Sequence, residues 1–422
     1  PMLDPQAQAL MTLLNEKGIP PVYTQTPAEA RASYRARRTF TQPDAPEVGR
    51  VQDLQFSHAG VSIAVRVYHP AGAGQALPAL VYLHGGGWTI GDLDTHDVLC
   101  RSLCQQAGGV VVSVDYRLGP EHKFPAGYDD AVAAWQWVAA QAATLGIDPA
   151  RIAIGGDSAG GNLAAVLALM ALHGEVPMPG YQVLFYPVTD MAGNPPSYDR
   201  FTEGLVLTCD VMKWFIAHYL GSKEKGIDWR ASPLRAPSLK GLPPAFLMTA
   251  GVDPLVDEGI AYAKRLDEEG VNVTHLHVAD QIHVQLDDIR LELGQQAKAR
   301  ILGAQSSTDQ PHTILQTNNY DYALVLHLTQ FCSWLVPFLG LLVPLIMWQS
   351  KKDDPYINEQ GKVVMNWIFS SMIYFVVSLL LCLIVVGFFL IAILFVCSIV
   401  FTVMGAMDAN KGVIKNYPLT IK

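Results

Sequence analysis

Short apolar runs alternate with longer helical stretches between residues 51 and 283. Ala79–Leu83 and Val110–Val114 are almost entirely apolar, as strands buried on both faces of a sheet are. The stretches between such strands have the length and pattern of helices: Asp94–Gln106, Tyr128–Ala143 and Gly161–His173. Strands and helices in alternation predict an α/β fold with a mostly parallel sheet.

The same pattern continues to residue 283. Further strands are expected at Ser62–Tyr68, Arg151–Ile154, Gln182–Tyr186, Ala245–Ala250 and Val271–Val278, and a helix at Leu255–Glu269. Residues 197–225 interrupt the alternation with several aromatic side chains. We therefore expect one α/β domain over residues 51–302, interrupted at about 197–225 by an inserted segment that could form part of a lid.

The first fifty residues have a different pattern. Residues 5–17 and 27–38 are expected to form short helices, and Thr26-Pro27-Ala28-Glu29 combines a capping box with proline at the first helical position. Residues 1–50 are therefore predicted to form a helical lid.

The pattern changes again after residue 283. Gln285–Leu302 has one apolar face on an otherwise polar helix, which could cover the last face of the sheet. Small polar residues ending in proline at Ser306–Pro311 indicate a linker over residues 303–320. Residues 321–422 would then form a separate region.

That last region is apolar enough to suggest a membrane. Ala323–Trp348 is a run of 26 residues without formal charge and Val363–Met407 a run of 45, against the roughly 20 residues that cross a bilayer. The second run predicts two helices that turn near Gly387. An all-α transmembrane region over residues 321–422, in contact with the lipid bilayer, is the expectation.

Lysines suggest how this region would be oriented. Lys351, Lys352 and Lys362 place the loop between the two uncharged runs in the cytoplasm. The C-terminus is placed in the cytoplasm as well, by Lys411, Lys415 and Lys422. Three full spans would leave residues 1–302 outside. Pro337, Gly340 and Pro344 could instead break the first run into a re-entrant pair of half-helices, which would keep residues 1–302 in the cytoplasm.

Charge narrows the possible partners. Residues 1–300 hold 23 of the 29 basic residues and 32 of the 38 acidic residues, hence the whole formal charge of −9. No basic stretch could neutralise phosphates, which argues against nucleic acid as a partner.

Six dispersed cysteines without a CxxC pair indicate reduced thiols. The first residues show no signal-peptide pattern, so residues 1–302 are expected to be in the cytoplasm after synthesis.

Two glycine-rich motifs suggest acyl chemistry. Gly156-Asp157-Ser158-Ala159-Gly160 follows a predicted strand and precedes a predicted helix, which is the context of a nucleophile elbow. His84-Gly85-Gly86-Gly87-Trp88 ends another strand, and its glycines let backbone N–H groups approach a ligand. A glycine loop paired with such an elbow is typical of lipases and esterases, where it forms an oxyanion hole.

A catalytic triad on this scaffold needs an acid and a histidine in the chain order Ser, acid, His. Asp253 follows the strand Ala245–Ala250, and His283 follows Val271–Val278. Asp257 is a competing acid, but it should lie inside the next helix. Two competing histidines, His275 and His277, belong to a strand, and as a metal pair they lack a third ligand nearby. No metal site is expected.

With the elbow, the glycine loop and the triad candidates in this order, the sequence of residues 1–283 resembles the bacterial hormone-sensitive-lipase family of carboxylesterases. The resemblance implies that Ser158 is the nucleophile, Asp253 the acid and His283 the base, with short-chain esters as substrates and no cofactor. It also implies that Gly86, Gly87 and Ala159 donate the oxyanion-hole hydrogen bonds. The matching motifs are His84–Trp88, Gly91–His96, Val114–Leu118, Pro120–Pro125, Gly155–Asn162 and Asp253–Gly259.

The resemblance ends just after His283, where Val284-Gln285 replaces the Gly-Phe of the family. Residues 321–422 resemble instead a family of small bacterial multi-span membrane proteins of uncharacterised function. The abrupt change is also what a join of two genes would give. Two alternatives to an esterase stay open: a scaffold that only binds small molecules, and a membrane protein carrying a passenger hydrolase. The sequence leaves the oligomeric state open.

Overall fold

The computed structural model describes residues 3–72, 74, 76–283, 313–316, 326–328, 339–350, 355–381 and 386–410. The chain divides into two compact units, Leu3–Leu315 and Gln316–Lys422, the second including Pro1–Met2. The domain limits expected from the sequence at residues 50, 302 and 320 stay predictions.

The first unit is built around one nine-stranded sheet. Its strands are β1 Arg50–His58, β2 Val61–His69, β3 Leu77–Leu83, β4 Val110–Asp115, β5 Ile147–Asp157, β6 Tyr181–Phe185, β7 Ala245–Val252, β8 Val273–Ile282 and β9 Thr313–Gln316. They lie in the order β1-β2-β4-β3-β5-β6-β7-β8-β9. β2 is antiparallel to both of its neighbours, whereas the strands from β4 to β8 in this order are parallel. The predicted α/β fold with a mostly parallel sheet is confirmed.

Helices cover both faces of this sheet. They are α1 Pro5–Glu16, α2 Pro27–Thr41, α3 Asp97–Ala107, α4 Ala126–Gln141, α5 Ala159–Leu172, α6 Pro196–Arg200, α7 Cys209–Leu220 and α8 Val256–Glu268. Short 3₁₀ turns lie at Val22–Thr24, Lys223–Ile227 and Pro233–Arg235. The interrupting stretch 197–225 therefore contains α7 and most of α6.

Alternate side chains of each strand enter two different cores. On β3, Val81 packs in a large cluster with residues of α4, α5 and α8, while Leu80 packs with residues of α3. This alternation follows from the period of two along a strand. α5 lies at the centre of the larger cluster, and nearly all of its side chains are buried.

The N-terminal helices form as the sequence indicates. The Thr26 hydroxyl accepts from the Glu29 N–H at 3.3 Å, and the Glu29 carboxylate accepts from the Thr26 N–H at 2.8 Å. This is the predicted capping box. α2 continues to Thr41, three residues beyond the predicted end, and its role as a lid stays a prediction.

Several limits differ from the sequence expectations. β1 begins where a change to strands was expected, at about residue 51, but its limits were not predicted, because none of its residues is buried and no apolar run marks it. β7 and β8 are longer than predicted and end directly before Asp253 and His283. Thr313–Gln316 forms β9 although it lies in the segment expected to be linker. The expected helix at Gln285–Leu302 and the changed residues Val284-Gln285 lie outside the described residues.

The second unit contains three helices among its described residues: α9 Leu339–Ser350, α10 Pro355–Leu381 and α11 Val386–Asn410. α10 and α11 are the two helices expected from the second uncharged run, and Trp367 meets Phe401 with ring centroids 5.2 Å apart. α9 runs through Pro344, so this proline does not break it as expected. Within the described ranges, no helix combines the length and hydropathy needed to cross a bilayer. The transmembrane assignment stays a prediction.

Candidate active site

Ser158 lies at the tip of a sharp turn between β5 and α5. Its backbone has φ 54° and ψ −115°, a conformation that costs a non-glycine residue free energy and that is found at strained functional turns. A Cβ on Gly160 would overlap the Leu83 carbonyl, so only glycine allows α5 to approach β3 this closely. The predicted strand-turn-helix context of the elbow is present.

Ser158, His283 and Asp253 form one hydrogen-bonded chain. His283 Nδ1 lies 2.7 Å from Asp253 Oδ2, and His283 Nε2 lies 2.9 Å from Ser158 Oγ. An imidazole that donates from Nδ1 to the carboxylate keeps a lone pair on Nε2, which can accept the hydroxyl proton. Asp253 is fully buried, and its other oxygen accepts from the Leu255 N–H at 2.8 Å.

The competing residues lie in other networks. Asp257, in the first turn of α8, accepts from the Ser197 N–H at 2.8 Å and pairs with Arg200 at 2.7 Å. His275 and His277 both lie 2.9 Å from the Thr249 hydroxyl. Burial lowers the pKa of His275 to about 4, so its ring is neutral near neutral pH.

The glycine loop after β3 follows an unusual path. Gly86 and Gly87 have φ of 117° and 56°, and Cβ atoms there would overlap the Ile90 carbonyl and the Phe215 ring. Glycine is thus required at position 86, where the loop turns against the Ile90 carbonyl, and at position 87, where Phe215 of α7 packs against the loop. Ala159 begins α5, so its N–H is one of the helix N-terminal groups without a partner in the helix.

The buried carboxylate of Asp157 holds the glycine loop in place. One carboxylate oxygen accepts from the Gly85 N–H at 2.9 Å and from the Tyr82 hydroxyl at 2.6 Å, and it lies 3.4 Å from His96 Nε2. Burial alone would raise the pKa of Asp157, but the charge interaction with nearby His96 and the hydrogen bond from Tyr82 hold it below its usual value. Burial lowers the pKa of neighbouring His84 to about 4.

A small cavity opens beside the Ser158 hydroxyl. Its volume is about 70 Å³. Gly86, Gly87, Ser158 and His283 line one side, and the rest is mostly apolar, with Phe215 of α7 among the lining residues. Apolar pockets with a few placed polar groups are typical of small-molecule sites.

The sequence alone did not single out several residues of this site. Tyr186 packs on His283 with ring centroids 4.5 Å apart, and Tyr34 and Arg37 of α2 line the cavity. His96 had a weak signal, since it ends the motif Gly91–His96. The others are brought in by packing between distant segments and carry no local pattern.

Among the described residues, no group of three or more His, Cys, Asp or Glu side chains could hold a metal ion. The His275 and His277 pair therefore has no third ligand within these ranges.

Known proteins are similar to this chain in fold and in sequence. Residues 80–287 match the family model described as alpha/beta hydrolase fold. An ethyl acetate hydrolase of Pseudomonas putida is 41% identical over 257 residues, which are 58% of this chain and 81% of that protein. A carboxylesterase of Mycobacterium tuberculosis is 39% identical over 287 residues, 67% of this chain and 88% of that protein.

Solved structures agree with these relatives. The crystal structure of a thermostable esterase from Pseudomonas putida superposes with a TM-score of 0.66 at 38% identity, over 72% of this chain and 96% of that one. An ester hydrolase from the metagenome of Lake Arreo, complexed with a bipyridine phosphonate derivative, gives 0.67 at 40% identity, over 72% and 97%.

The end of the chain matches a second family. Residues 318–422 match the model of the magnetosome magnetite crystal formation protein family. A family separate from that of the first unit is thus confirmed for the end of the chain, while the expected multi-span membrane character stays a prediction.

Two of the relatives with about 40% identity are an ester hydrolase and a carboxylesterase, and this chain covers more than four fifths of the length of each. The chain therefore belongs to the carboxylesterase family of the α/β-hydrolase fold, and it is a carboxylic ester hydrolase.

Proposed function

We propose that this esterase hydrolyses short-chain carboxylic esters through an acyl-enzyme formed on Ser158. The observation that carries the proposal is the hydrogen-bonded chain from Ser158 Oγ through His283 to Asp253, with distances of 2.9 and 2.7 Å. Nucleophile, base and a third group that orients the base are the requirements of this chemistry.

Acylation begins when His283 Nε2 takes the proton of Ser158 as Oγ attacks the ester carbonyl. The tetrahedral intermediate collapses when its C–O bond to the alcohol breaks and the imidazolium returns the proton to the leaving oxygen. Asp253 keeps the ring in the tautomer that accepts at Nε2 and stabilises the imidazolium. Its burial and its bond from the Leu255 N–H hold the carboxylate in place.

The negative oxygen of the intermediate would be held by the N–H groups of Gly86, Gly87 and Ala159. Donors that are fixed before the reaction stabilise the developing charge without reorganising, and this stabilisation usually lowers the barrier more than any other single effect. Asp157 supports this arrangement, because the hydrogen bond that its carboxylate accepts from the Gly85 N–H ties the loop to the residue before Ser158.

Deacylation repeats these steps with water as the nucleophile. His283 takes a proton from the water, the acyl carbon gains the hydroxyl, and Ser158 leaves with its proton restored. Ester and water supply all the atoms and electrons of the cycle, so the mechanism invokes no metal ion and no organic cofactor.

Cavity size supports short acyl chains. An apolar cavity of about 150 Å³ holds a benzene molecule, whereas the cavity beside Ser158 measures about 70 Å³. Phe215 contacts the glycine loop at Gly87 and limits the space on that side. Acetyl to butyryl groups fit this volume better than long fatty acyl chains do.

Ser158→Ala tests the proposal with the full chain and an aryl butyrate as substrate. We expect turnover to fall by several powers of ten, since triad members act as a unit. Ser62→Ala is the control, because Ser62 is an exposed serine on β2, away from the cavity. Activity that survives Ser158→Ala would contradict the proposed nucleophile, and a wild-type chain that binds the ester without turnover would favour a non-catalytic binding scaffold.

We also propose that residues 321–422 attach the hydrolase to a membrane and leave its catalytic domain in the cytoplasm. The support is the length of the two uncharged runs together with the flanking lysines, which place the first loop and the C-terminus in the cytoplasm. The catalytic domain lies on the same side if the first run is a re-entrant segment, whereas a full span there would leave the domain outside. Protease added to spheroplasts should leave the domain uncut, while protease added after lysis should cut it. Digestion from outside would contradict this topology, and full extraction by alkaline carbonate would contradict membrane insertion.

A further inference from the structure

The first helix of the chain packs against the ends of the two strands that lead to the acid and the base. Four side chains of α1 repeat at helical spacing and are buried, which gives the helix one apolar face: Ala7, Leu10, Met11 and Leu14. This face forms one cluster with Val252, the last residue of β7, and Ile282, the last residue of β8. α1 therefore covers the strand ends from which Asp253 and His283 follow.

Backbone pairing is irregular just before these strand ends. The register between β7 and β8 shifts between Ala250 and Val252, and beyond the shift Val252 pairs with Ile282. A Cβ on Gly251 would overlap the Ala279 carbonyl, so the two backbones approach closely there. Because an irregularity of this kind interrupts the hydrogen-bond ladder and bends a strand, the last residues of β7 and β8 depend more on side-chain packing.

Each of the two strand residues in contact with α1 comes directly before a member of the triad. Successive side chains of a strand point to opposite faces. Packing that fixes the buried side chains of Val252 and Ile282 therefore also fixes the backbone from which the carboxylate and the imidazole extend. The distances of 2.7 Å from His283 to Asp253 and 2.9 Å from His283 to Ser158 depend on that backbone.

A hydrogen bond attaches the start of α1 to β8. The Asp4 N–H donates to the Asp280 carbonyl at 3.0 Å, three residues before His283. The Asp4 carboxylate accepts from the Gln6 and Ala7 N–H groups at 2.9 and 3.3 Å and thereby caps the helix. One residue thus sets where α1 begins and joins that point to the strand that leads to the base.

α1 contacts these strand ends without lining the cavity beside Ser158. Among the residues that the structure describes, those lining the cavity include Val22 and residues of α2 and α7 but none of Pro5–Glu16. Val206 connects the two regions, because it packs against the cluster and also lines the cavity. A change within the apolar face of α1 should therefore act on the triad more than on the space for the substrate.

We propose that the apolar face of α1 is a positioning element, which holds the acid and the base of the triad in place through Val252 and Ile282. Leu10 and Met11 are its central residues. The inference rests on the proposed function and gives α1 a part in catalysis that differs from that of a lid. Misplacement of a reacting group by about 1 Å can lower a rate by about a hundredfold. Loss of packing in this cluster should therefore be measurable as lost turnover.

Leu10→Ala tests this on the full chain, since it leaves a space in the cluster and changes no residue that lines the cavity. We expect kcat for an aryl butyrate to fall by roughly ten- to hundredfold, because the base and its carboxylate lose their alignment with the nucleophile. The corresponding anilide has the shape of the ester but reacts far more slowly, so its inhibition constant reports on the cavity. That constant should change by less than about threefold. Met11→Ala should have the same effects.

Proton NMR reports on the triad directly, because an imidazole N–H bonded to a carboxylate gives a signal far downfield of the amide protons. The signal of the His283 N–H that faces Asp253 should broaden or vanish in Leu10→Ala, at a temperature at which circular dichroism shows the chain to be folded.

Two control variants separate packing on the strand ends from general effects on the helix. Leu13→Ala is the matched truncation, because Leu13 lies on the same helix but is only partly buried and outside the cluster. Its kcat and its NMR signal should match those of the wild type. Leu10→Met conserves the volume of the side chain and should keep kcat within about threefold of the wild type.

Three results would overturn the inference: an unchanged kcat in Leu10→Ala and Met11→Ala, an equal fall in Leu13→Ala, or a loss of anilide binding as large as the loss of kcat. The last result would mean that α1 shapes the cavity instead. If Leu10→Ala does not fold, Met11→Ala decides between the same outcomes. A wild-type chain that hydrolyses no ester would contradict the proposed function, whereas an active wild type with equally active variants would contradict only the role of α1.

Discussion

Two aspartates four residues apart have different positions in this structure. Asp253 lies in the turn after β7 and accepts a hydrogen bond from His283, whereas Asp257 lies in the first turn of α8 and pairs with Arg200. The difference depends on where β7 ends and α8 begins. If α8 began one helical turn later, Asp257 instead of Asp253 would lie in the turn after β7. This is why the sequence left Asp257 as a competing candidate for the acid.

Asp253→Asn should lower kcat by about 10⁴-fold, because the amide favours the wrong imidazole tautomer while keeping the shape of the side chain. Asp257→Asn is the matched change and should cost about tenfold at most, since only a contact to α6 weakens. Steady-state kinetics with an aryl butyrate measures both. A larger loss in Asp257→Asn would show that the acid has been misassigned.

Glu258 follows Asp257 and is buried inside the same unit. Its carboxylate accepts from the N–H groups of Thr189 and Asp190 at 2.7 and 3.2 Å. Burial nevertheless raises its pKa from the ordinary value of 4.5 to about 8. The folded chain therefore keeps a proton here that the unfolded chain releases as the pH rises above about 4.5.

This proton makes stability fall with pH. The contribution of Glu258 is fully present below about pH 4.5 and is lost as the pH rises through about 8, a change on the order of a few kcal/mol. Glu258→Gln mimics the protonated acid, so its free energy of unfolding should decline less than that of the wild type between about pH 5 and 8. Urea unfolding at several pH values measures this. Glu268→Gln, an exposed change on the same helix, should follow the wild type, and an equal decline in Glu258→Gln would contradict the prediction.

At the scale of elements, α2 presents two functional faces. Arg31, Arg35 and Arg38 hold the helix to the loops after β3 and β4, while Tyr34 and Arg37 line the cavity. Ion pairs of exposed side chains contribute little individually. Arg31 is different, because two of its hydrogen bonds go to backbone carbonyls and its side chain is only 27% exposed.

Arg31→Ala should therefore loosen α2 without unfolding the sheet. We expect amide hydrogen exchange in Pro27–Thr41 to become at least about tenfold faster, as for the loss of hydrogen bonds to a charged donor. Mass spectrometry of exchanging peptides measures this, with the peptides of α4 as an internal control. Faster exchange throughout the molecule would mean that the arginine supports the whole fold, and no change in α2 would mean that it supports neither.

Elements with local signals were predictable from the sequence. The elbow and the glycine loop were found because their turns demand glycine at particular positions. The limits of β1 were not predicted, because an edge strand with one face in solvent has no apolar run. The bonds of Asp157 to Tyr82 and Gly85 join residues 75 and 72 positions apart, and no local pattern encodes a contact that depends on the pairing of β3 with β5.

At the scale of the whole molecule, the side chains of the site lie in Leu3–Leu315. A chain ending at Leu315 should therefore hydrolyse an aryl butyrate with a kcat/KM within about threefold of the full chain. If residues 321–422 attach the protein to a membrane, the shortened chain should also leave the membrane fraction on centrifugation.

Assays of both fractions from cells expressing each chain measure the two effects together. A shortened chain that folds, as judged by its circular dichroism, but hydrolyses no ester would show that the second unit contributes to the site.

His283 lies 125 residues after Ser158 in the chain. During synthesis Ser158 and the glycine loop emerge first, and His283 cannot reach them until β8 has paired with β7. Domains form native contacts of such long sequence separation late. A nascent chain would therefore hold an inert pocket for the time needed to make residues 159–283, and the onset of ester hydrolysis would report the moment at which β8 pairs with β7.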